Sequence, residues 1–316
     1  MKCLGCYREI VGNSRNADYH DACIRRFFKT PEAPTIDVTE EVKALQEGLR
    51  IRGAVPGVQR KLSMSMDRTH YPRRLTIIEP GGEFILKPAS PEYAELPENE
   101  DLTMHLADIV HIPTGDHTLV RTVSGDIAYL TRRFDRISSG PIAKRKRAVE
   151  DMCQLSERLT EDKYKGSMEQ IARMVRKYST NPVIDAATLF QLTCFSYLTG
   201  NSDMHLKNFS LMTLPSKAIT FSPAYDLLSV KLVLPQDEDE MALPINGKQR
   251  NITRNDMEYF ADYIALSKPQ REGIWRSFAN ARSKWMDMIG RSFLSDDAKE
   301  RYAAIITTRM EMMGFA

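Results

Sequence analysis

With 316 residues, 42% of them hydrophobic and 27% charged, the chain can bury a sizeable core over two or three sub-domains, which excludes global disorder. Its 44 basic and 42 acidic side chains leave a formal charge of +2, which argues against a protein built mainly to hold nucleic acid. No run of about 18 apolar residues occurs and the start, MKCLGCYREI, has no signal-peptide pattern, so no membrane span is expected and the expected location is cytoplasmic.

Residues 1–30 carry Cys3, Cys6, His20 and Cys23, three of the chain's five cysteines. An odd count crowded at one end makes a poor disulfide framework. The four residues are either unrelated or a structural Zn²⁺ site of Cys₃His type. Two ligand pairs, each spaced by two residues around a loop, favour zinc, which would hold a segment too short to bury its own core. With all four positions taken by protein, catalysis at the metal is not expected. Pro31-Glu32-Ala33-Pro34 follows as a stiff linker and marks the first boundary.

Residues 37–135 read as mostly β with one helix. Leu75-Thr76-Ile77-Ile78 and Phe84-Ile85-Leu86-Lys87 flank Pro80-Gly81-Gly82, a hairpin-like signal. Asn99-Glu100 is read as the opening of a helix that places Leu102, Leu106, Ile109 and Val110 at helical spacing. Leu119-Val120 and Ile127–Leu130 flank a second turn, Ser124-Gly125-Asp126.

From about residue 148, and over 136–316 as a whole, the pattern is helical. Asn181-Pro182 reads as an N-cap with proline at N1, the helix running to Thr199-Gly200. Thr253 and Asp256 form a capping-box pattern. Ile274, Phe278, Trp285 and Ile289 make one apolar stripe, and Tyr302, Ile305, Ile306 and Met313 another. The fold class expected is α+β, a small mostly β lobe followed by a larger helical lobe.

The chemistry concentrates in Gly200-Asn201-Ser202-Asp203-Met204-His205-Leu206-Lys207-Asn208-Phe209-Ser210. Phosphoryl transfer needs a carboxylate to orient the attacking hydroxyl, oxygen ligands for Mg²⁺ and a cation for the phosphates. Asp203 and Asn208 stand five positions apart, the offset of a protein-kinase catalytic loop. Asp226, in Pro223-Ala224-Tyr225-Asp226-Leu227, adds a second carboxylate, and Lys87 a cation at a strand end. Taken singly, each is an ordinary loop or strand-end residue. Glu100 either pairs with Lys87 or serves as an acid near a helix N-terminus.

In order, Gly57-Val58-Gln59-Arg60-Lys61, Ile85-Leu86-Lys87-Pro88, Asn99-Glu100, Arg133-Phe134-Asp135-Arg136, Asp151-Met152-Cys153-Gln154, Asp203–Ser210 and Tyr225-Asp226 resemble the motifs of the HipA family of bacterial Ser/Thr protein kinase toxins. The resemblance covers roughly residues 52–230 and implies a two-lobe kinase fold with ATP as substrate and Mg²⁺ as cofactor. It implies Asp203 as catalytic base, Lys207 offsetting charge beside it, Asn208 and Asp226 holding Mg²⁺, and Lys87 on the α- and β-phosphates. Gln59 and Lys61 fall in its phosphate loop, His205 near the transferred phosphate, and the backbone of Arg132 and Phe134 at the adenine hinge.

The resemblance also implies a protein substrate, an aminoacyl-tRNA synthetase by family, and a helix-turn-helix antitoxin through which DNA is met only indirectly. The short stretch before the phosphate loop resembles the split form of these systems, with a HipT-like kinase subunit and a separate small HipS-like protein. Ala54-Val55-Pro56 stands where the family places its autophosphorylated serine, so control is expected to fall to partners. A small-molecule kinase and a nucleotide-binding module without transfer are the rival readings. The basic stretch Lys144–Arg147 reads as a solvated loop or a docking patch, and the acidic run Asp237–Glu240 as an exposed loop.

Overall fold

Period-two burial builds the main sheet. Strand β2 (Leu62–Asp67) buries Met64 and Met66 and turns Ser63 and Ser65 outward, and β4 (Phe84–Lys87) buries Phe84 and Leu86 fully. The computed structural model describes residues 1–11, 16–38, 60–78, 81–137 and 145–315. With β1 (Thr35–Ile36), β3 (Arg74–Ile77), β5 (His117–Arg121) and β6 (Ile127–Arg132), these strands form a six-stranded sheet in the order β1-β3-β2-β4-β6-β5. Only the β1–β3 pairing is parallel.

That order corrects the hairpin expected around Gly81-Gly82. The strands on either side of it do not pair with each other, because β2 lies between them and pairs with both. Gly82 is needed for close approach: a Cβ there would sit 2.4 Å from the Met64 carbonyl oxygen. The Ser124–Asp126 turn does close a hairpin, β5 with β6, in the register Leu119↔Tyr129.

The chain divides into two compact units. The first comprises Met1–Asp101, Gly115–Lys144 and Arg291–Phe293, and the second Leu102–Thr114, Arg145–Gly290 and Leu294–Ala316. In the first unit, helix α1 (Asp21–Phe28) buries Ile24, Phe27 and Phe28 and ends at Lys29 in the left-handed region.

Helix α2 (Leu96–Ile109) begins three residues before the expected Asn99. Proline is tolerated in a first helical turn, which lets Pro97 sit inside the helix instead of before it. Glu100 therefore lies in the second turn. Burial pushes the Glu98 carboxyl, in the first turn, up to about 7.

A carboxyl raised in the folded state favours folding most below its unfolded pKa, and that advantage is lost as pH rises through the folded value. Glu98→Gln is therefore expected to raise the melting temperature at pH 8 and leave it unchanged at pH 4.5. Because the residue keeps partial exposure, the gain should stay near 1 kcal/mol. Thermal melts of both proteins across this range would expose an equal shift at both pH values, which would exclude Glu98 as the cause.

The second unit is built around α5 (Pro182–Thr199), which is buried from Leu189 to its end except at Gln191. Its buried hydroxyls bond back along the helix, Thr193 to the Leu189 carbonyl (2.7 Å), Ser196 to Leu192 (2.8 Å) and Thr199 to Phe195 (2.9 Å), so none of the three is left unsatisfied. Asn181 holds the expected N-cap position, yet its side chain makes no capping bond; the Asn181 N–H donates to Ser179 Oγ instead (3.0 Å). The capping box of α7 (Arg254–Tyr263) forms as expected, with Asp256 accepting from the Thr253 N–H at 2.9 Å.

Helix α8 (Lys268–Arg291) buries Trp275, Phe278, Trp285 and Ile289, and Trp285 donates to the Leu106 carbonyl (2.9 Å). Helix α9 (Asp296–Met312) buries Tyr302 and Ile306. Smaller elements frame the loop of interest: α3 (Met152–Leu155), α4 (Met168–Tyr178), α6 (Val230–Val233), and an antiparallel sheet of β7 (Val149–Asp151), β8 (Ser210–Thr213) and β9 (Ile219–Phe221) in the order β9-β8-β7. Among the described residues no helix is long and apolar enough to cross a membrane.

Candidate active site

Helix α5 stops at Gly200, which has a φ of +75°. A Cβ there would lie 3.0 Å from both Lys231 Cβ and Ser229 Oγ, so the position admits no side chain. The chain then turns through Asn201, which accepts the Asp203 N–H (3.2 Å), and runs to β8. Within this loop the Asn208 amide donates to Asp226 Oδ2 at 3.0 Å, while its Oδ1 accepts the His205 N–H at 3.3 Å. Asp226 itself has φ +60°, a conformation tolerated by Asp and concentrated at functional sites. Asn208 and Asp226, eighteen residues apart in sequence, are thus joined side chain to side chain.

The second unit holds the loop from several sides. Tyr225 donates to the Lys207 carbonyl (2.7 Å) and shares a 2.6 Å hydrogen bond with Ser210, and burial pushes its phenol well up. Asp151 and Gln154 form a capping box on α3, and the second oxygen of Asp151 takes Lys207 Nζ at 2.8 Å. Lys207 is therefore ion-paired here. Ser202 Oγ donates to Asp237 (2.6 Å), so the acidic run is anchored to this loop and partly buried, not simply exposed as expected. Arg250 pairs with Glu238 and with Asp239 (2.6 Å) on its far side.

Two features carry no signal in sequence. Tyr164 donates to Asp203 Oδ1 at 2.6 Å, and its ring meets His205 edge-on at 5.2 Å. Burial, then the Asp203 hydrogen bond, keep the Tyr164 phenol well above its ordinary range. Burial likewise pushes the His205 imidazole down, favouring its neutral form. Nothing in the spacing of Asp162-Lys163-Tyr164-Lys165 marks Tyr164; only the fold brings it to Asp203.

In the first unit, Lys87 Nζ donates to Glu100 Oε1 at 2.7 Å, with side-chain exposures of 9% and 1%, so Glu100 is the lysine's partner and not merely a helix-end acid. Lys61 lies exposed just before β2, whereas Gln59 and Ala54-Val55-Pro56 fall outside the described residues. The Arg132 N–H already donates to the Asp116 carbonyl (2.8 Å). Its guanidinium lies 4.5 Å from the Phe84 ring centroid and 5.7 Å from Phe27, and donates to the Phe27 carbonyl (2.5 Å). Phe134 lies in the following turn, near Gly115. Arg133 grips Asp135 through two nitrogens (2.9 and 2.8 Å).

Cys3, Cys6, His20 and Cys23 place their ligand atoms all within 4.8 Å of one another. His20 Nε2 sits 3.1 Å from the Glu9 carbonyl, which assigns the proton to Nε2 and turns the Nδ1 lone pair toward Cys6 Sγ, 3.4 Å away. Hydrogen bonds from Cys23 and Cys3 push the Cys6 thiol well down. Three soft sulfur donors and one imidazole nitrogen, oriented by a carbonyl behind the ring, fit a tetrahedral Zn²⁺.

The family model of the HipA-like C-terminal domain matches residues 53–285. Among proteins of similar sequence, the inferred kinase Y4dM of Sinorhizobium fredii is 30% identical over 252 residues, covering 75% of this chain and 59% of that protein. The serine/threonine-protein kinase toxin HipA of Shewanella oneidensis is 28% identical over 195 residues, covering 56% and 44%. The chain thus matches 59% of the length of the first of these relatives and 44% of the second. In structure it resembles the Shewanella oneidensis HipA chain solved with HipB and operator DNA, with a TM-score of 0.73 and 23% identity over 90% of this chain and 74% of that one.

Proposed function

The chain belongs to the HipA-like C-terminal domain family, and on that premise we propose that it is an ATP- and Mg²⁺-dependent protein kinase of the toxin type. The observation that carries this reading is the Asn208–Asp226 contact at 3.0 Å in the loop that also presents Asp203. Oxygen donors on Asn and Asp suit Mg²⁺, which when bound offsets charge on the phosphates.

Asp203 accepts the proton of a serine or threonine hydroxyl as its oxygen bonds to the γ-phosphorus; the bond from that phosphorus to the β–γ bridging oxygen breaks and ADP leaves. At Asp203 Oδ1 the substrate hydroxyl shares the oxygen with the Tyr164 hydroxyl, which draws on the same electron density. Lys87, held by Glu100, is the cation for the α- and β-phosphates, with Gln59 and Lys61 in the phosphate loop and the Arg132–Phe134 backbone toward adenine. Lys207 reaches developing charge only by exchanging its Asp151 partner. His205, buried in the same loop beside Tyr164, is the residue proposed near the transferred phosphate. Zinc on Cys3, Cys6, His20 and Cys23 is structural. A helix-turn-helix antitoxin is the proposed partner, and an aminoacyl-tRNA synthetase the proposed class of target.

Expression alone in a growing bacterium, wild type beside Asp203→Ala, followed by γ-labelled ATP in the lysate, tests the reading. Growth arrest and one labelled protein band are expected with wild type, both absent in the variant. Equal growth and identical labelling patterns would instead favour nucleotide binding without transfer.

A further inference from the structure

We propose that Tyr7 and Asp101 are positioning residues for the Lys87–Glu100 pair, so that one residue of the N-terminal cysteine segment, Tyr7, bears on nucleotide binding. The proposal rests on the kinase reading of Lys87 given above. Its physical basis lies entirely within the first unit.

The turn that presents Cys3 and Cys6 also sets Tyr7. The Tyr7 N–H donates to the Cys3 carbonyl (2.9 Å), and the residue is held at φ +61° directly after Cys6. From there its hydroxyl donates to Asp101 Oδ2 at 2.6 Å. The other oxygen, Asp101 Oδ1, accepts from His117 Nδ1, also at 2.6 Å. His117 stacks on Tyr129 with centroids 6.3 Å apart, and Lys87 Nζ lies 5.7 Å from the centroid of that same ring. Lys87 then donates to Glu100, the immediate neighbour of Asp101 in α2, which closes a ring of interactions on itself.

Every member of the ring is at most 7% exposed, and Asp101 is completely buried. In so dry a setting each hydrogen bond to a carboxylate is strong and a displaced partner is costly, so the members hold one arrangement together. A lysine has a long flexible stem, and its ammonium stays in one place only if its acceptor does. Glu100 is that acceptor. Its position follows the second turn of α2, and the Tyr7 hydroxyl fixes that turn at the adjacent residue. On its opposite side Tyr7 meets Phe293 edge-on at 5.4 Å, and Lys2 Nζ grips the Arg291 and Ser292 carbonyls (3.1 and 2.9 Å). Of these contacts, the one from Tyr7 to Asp101 leads to Lys87, whereas those of Lys2 end on the Arg291 and Ser292 carbonyls.

That division supplies the test, made on the full chain as purified with ATP and Mg²⁺. Tyr7→Phe is expected to raise the KM for ATP about 5- to 10-fold while kcat changes less than about 2-fold. Lys2→Met, which loosens the other contacts, is expected to lower the melting temperature without moving the KM. In a Lys87→Met background the Tyr7→Phe change should add nothing. An unchanged KM in Tyr7→Phe, or an equal rise in Lys2→Met, would overturn the link and leave the segment a stabilising appendage. Lys87→Met with full ATP affinity would instead sink the role given to Lys87, a result distinguishable from failure of the link. Should Tyr7→Phe not fold, His117→Phe, which has no donor, strips the other oxygen of Asp101 and is judged by the same criteria.

Discussion

Asp203→Asn should lower phosphoryl transfer about 10²- to 10⁴-fold, the usual worth of a positioned general base, with ATP affinity almost unchanged. The amide keeps the shape of the side chain and one carbonyl oxygen to accept the Tyr164 hydroxyl now 2.6 Å from the carboxylate. It cannot take a proton. The Asn208–Asp226 contact and the Asn201 bond to the backbone of residue 203 involve other atoms, so the loop should persist. Tyr164→Phe should act in the opposite direction: a substrate hydroxyl competes with the Tyr164 hydroxyl for the same oxygen, and removing one net hydrogen bond of about 1 kcal/mol should raise the initial rate a few-fold. Initial-rate kinetics alongside nucleotide-binding calorimetry checks both. Parallel loss of affinity and turnover in Asp203→Asn would place the residue in nucleotide binding, and a fall in rate for Tyr164→Phe would make the tyrosine a support of Asp203 instead of a competitor.

Loss of the proposed zinc should produce the second large effect. Atomic absorption is expected to find one zinc per chain, and Cys6→Ser or prolonged chelation should lower the melting temperature by roughly 10 °C, as the loss of about 3–4 kcal/mol would in a chain of this size. The reason is what hangs from the cluster. Tyr19 donates to the Leu119 carbonyl at 2.6 Å, Phe27 and Phe28 are buried, and the Arg132 guanidinium ends on the Phe27 carbonyl. When the four ligands part, about 30 residues without a core of their own lose the point that orders them. Returning zinc should restore the transition. A purified chain free of metal with an unaltered melt would show instead that the cluster is held by packing alone.

Sequence leaves the pairing of Lys87 with Glu100 open, because an acid near a helix start has a local explanation that needs no lysine. The helix begins at Leu96, which removes that explanation, and the 2.7 Å contact supplies the other. The Asp151–Gln154 segment is visible in sequence as a motif without a task. Its capping box is a local device, but the ion pair from Asp151 to Lys207 spans 56 positions and exists only because β7 pairs with β8.

What the amino-acid sequence determined by itself was whatever depends on short-range order. That includes the strand runs at Leu75 and Phe84, the Gly200 stop, the capping box at Thr253, the Asp203-to-Asn208 spacing and the two close pairs of the cysteine cluster. These follow from the backbone's fixed periods and from side chains acting on neighbours a few residues away. Tertiary structure alone decided the strand order that places β2 between β3 and β4, the Tyr164 hydroxyl on Asp203, the tie between Ser202 and Asp237, and the closed ring from Tyr7 to Lys87. Each joins groups well separated along the chain, and such contacts are selected by burial and by the need of every buried polar group for a partner, which no local pattern encodes.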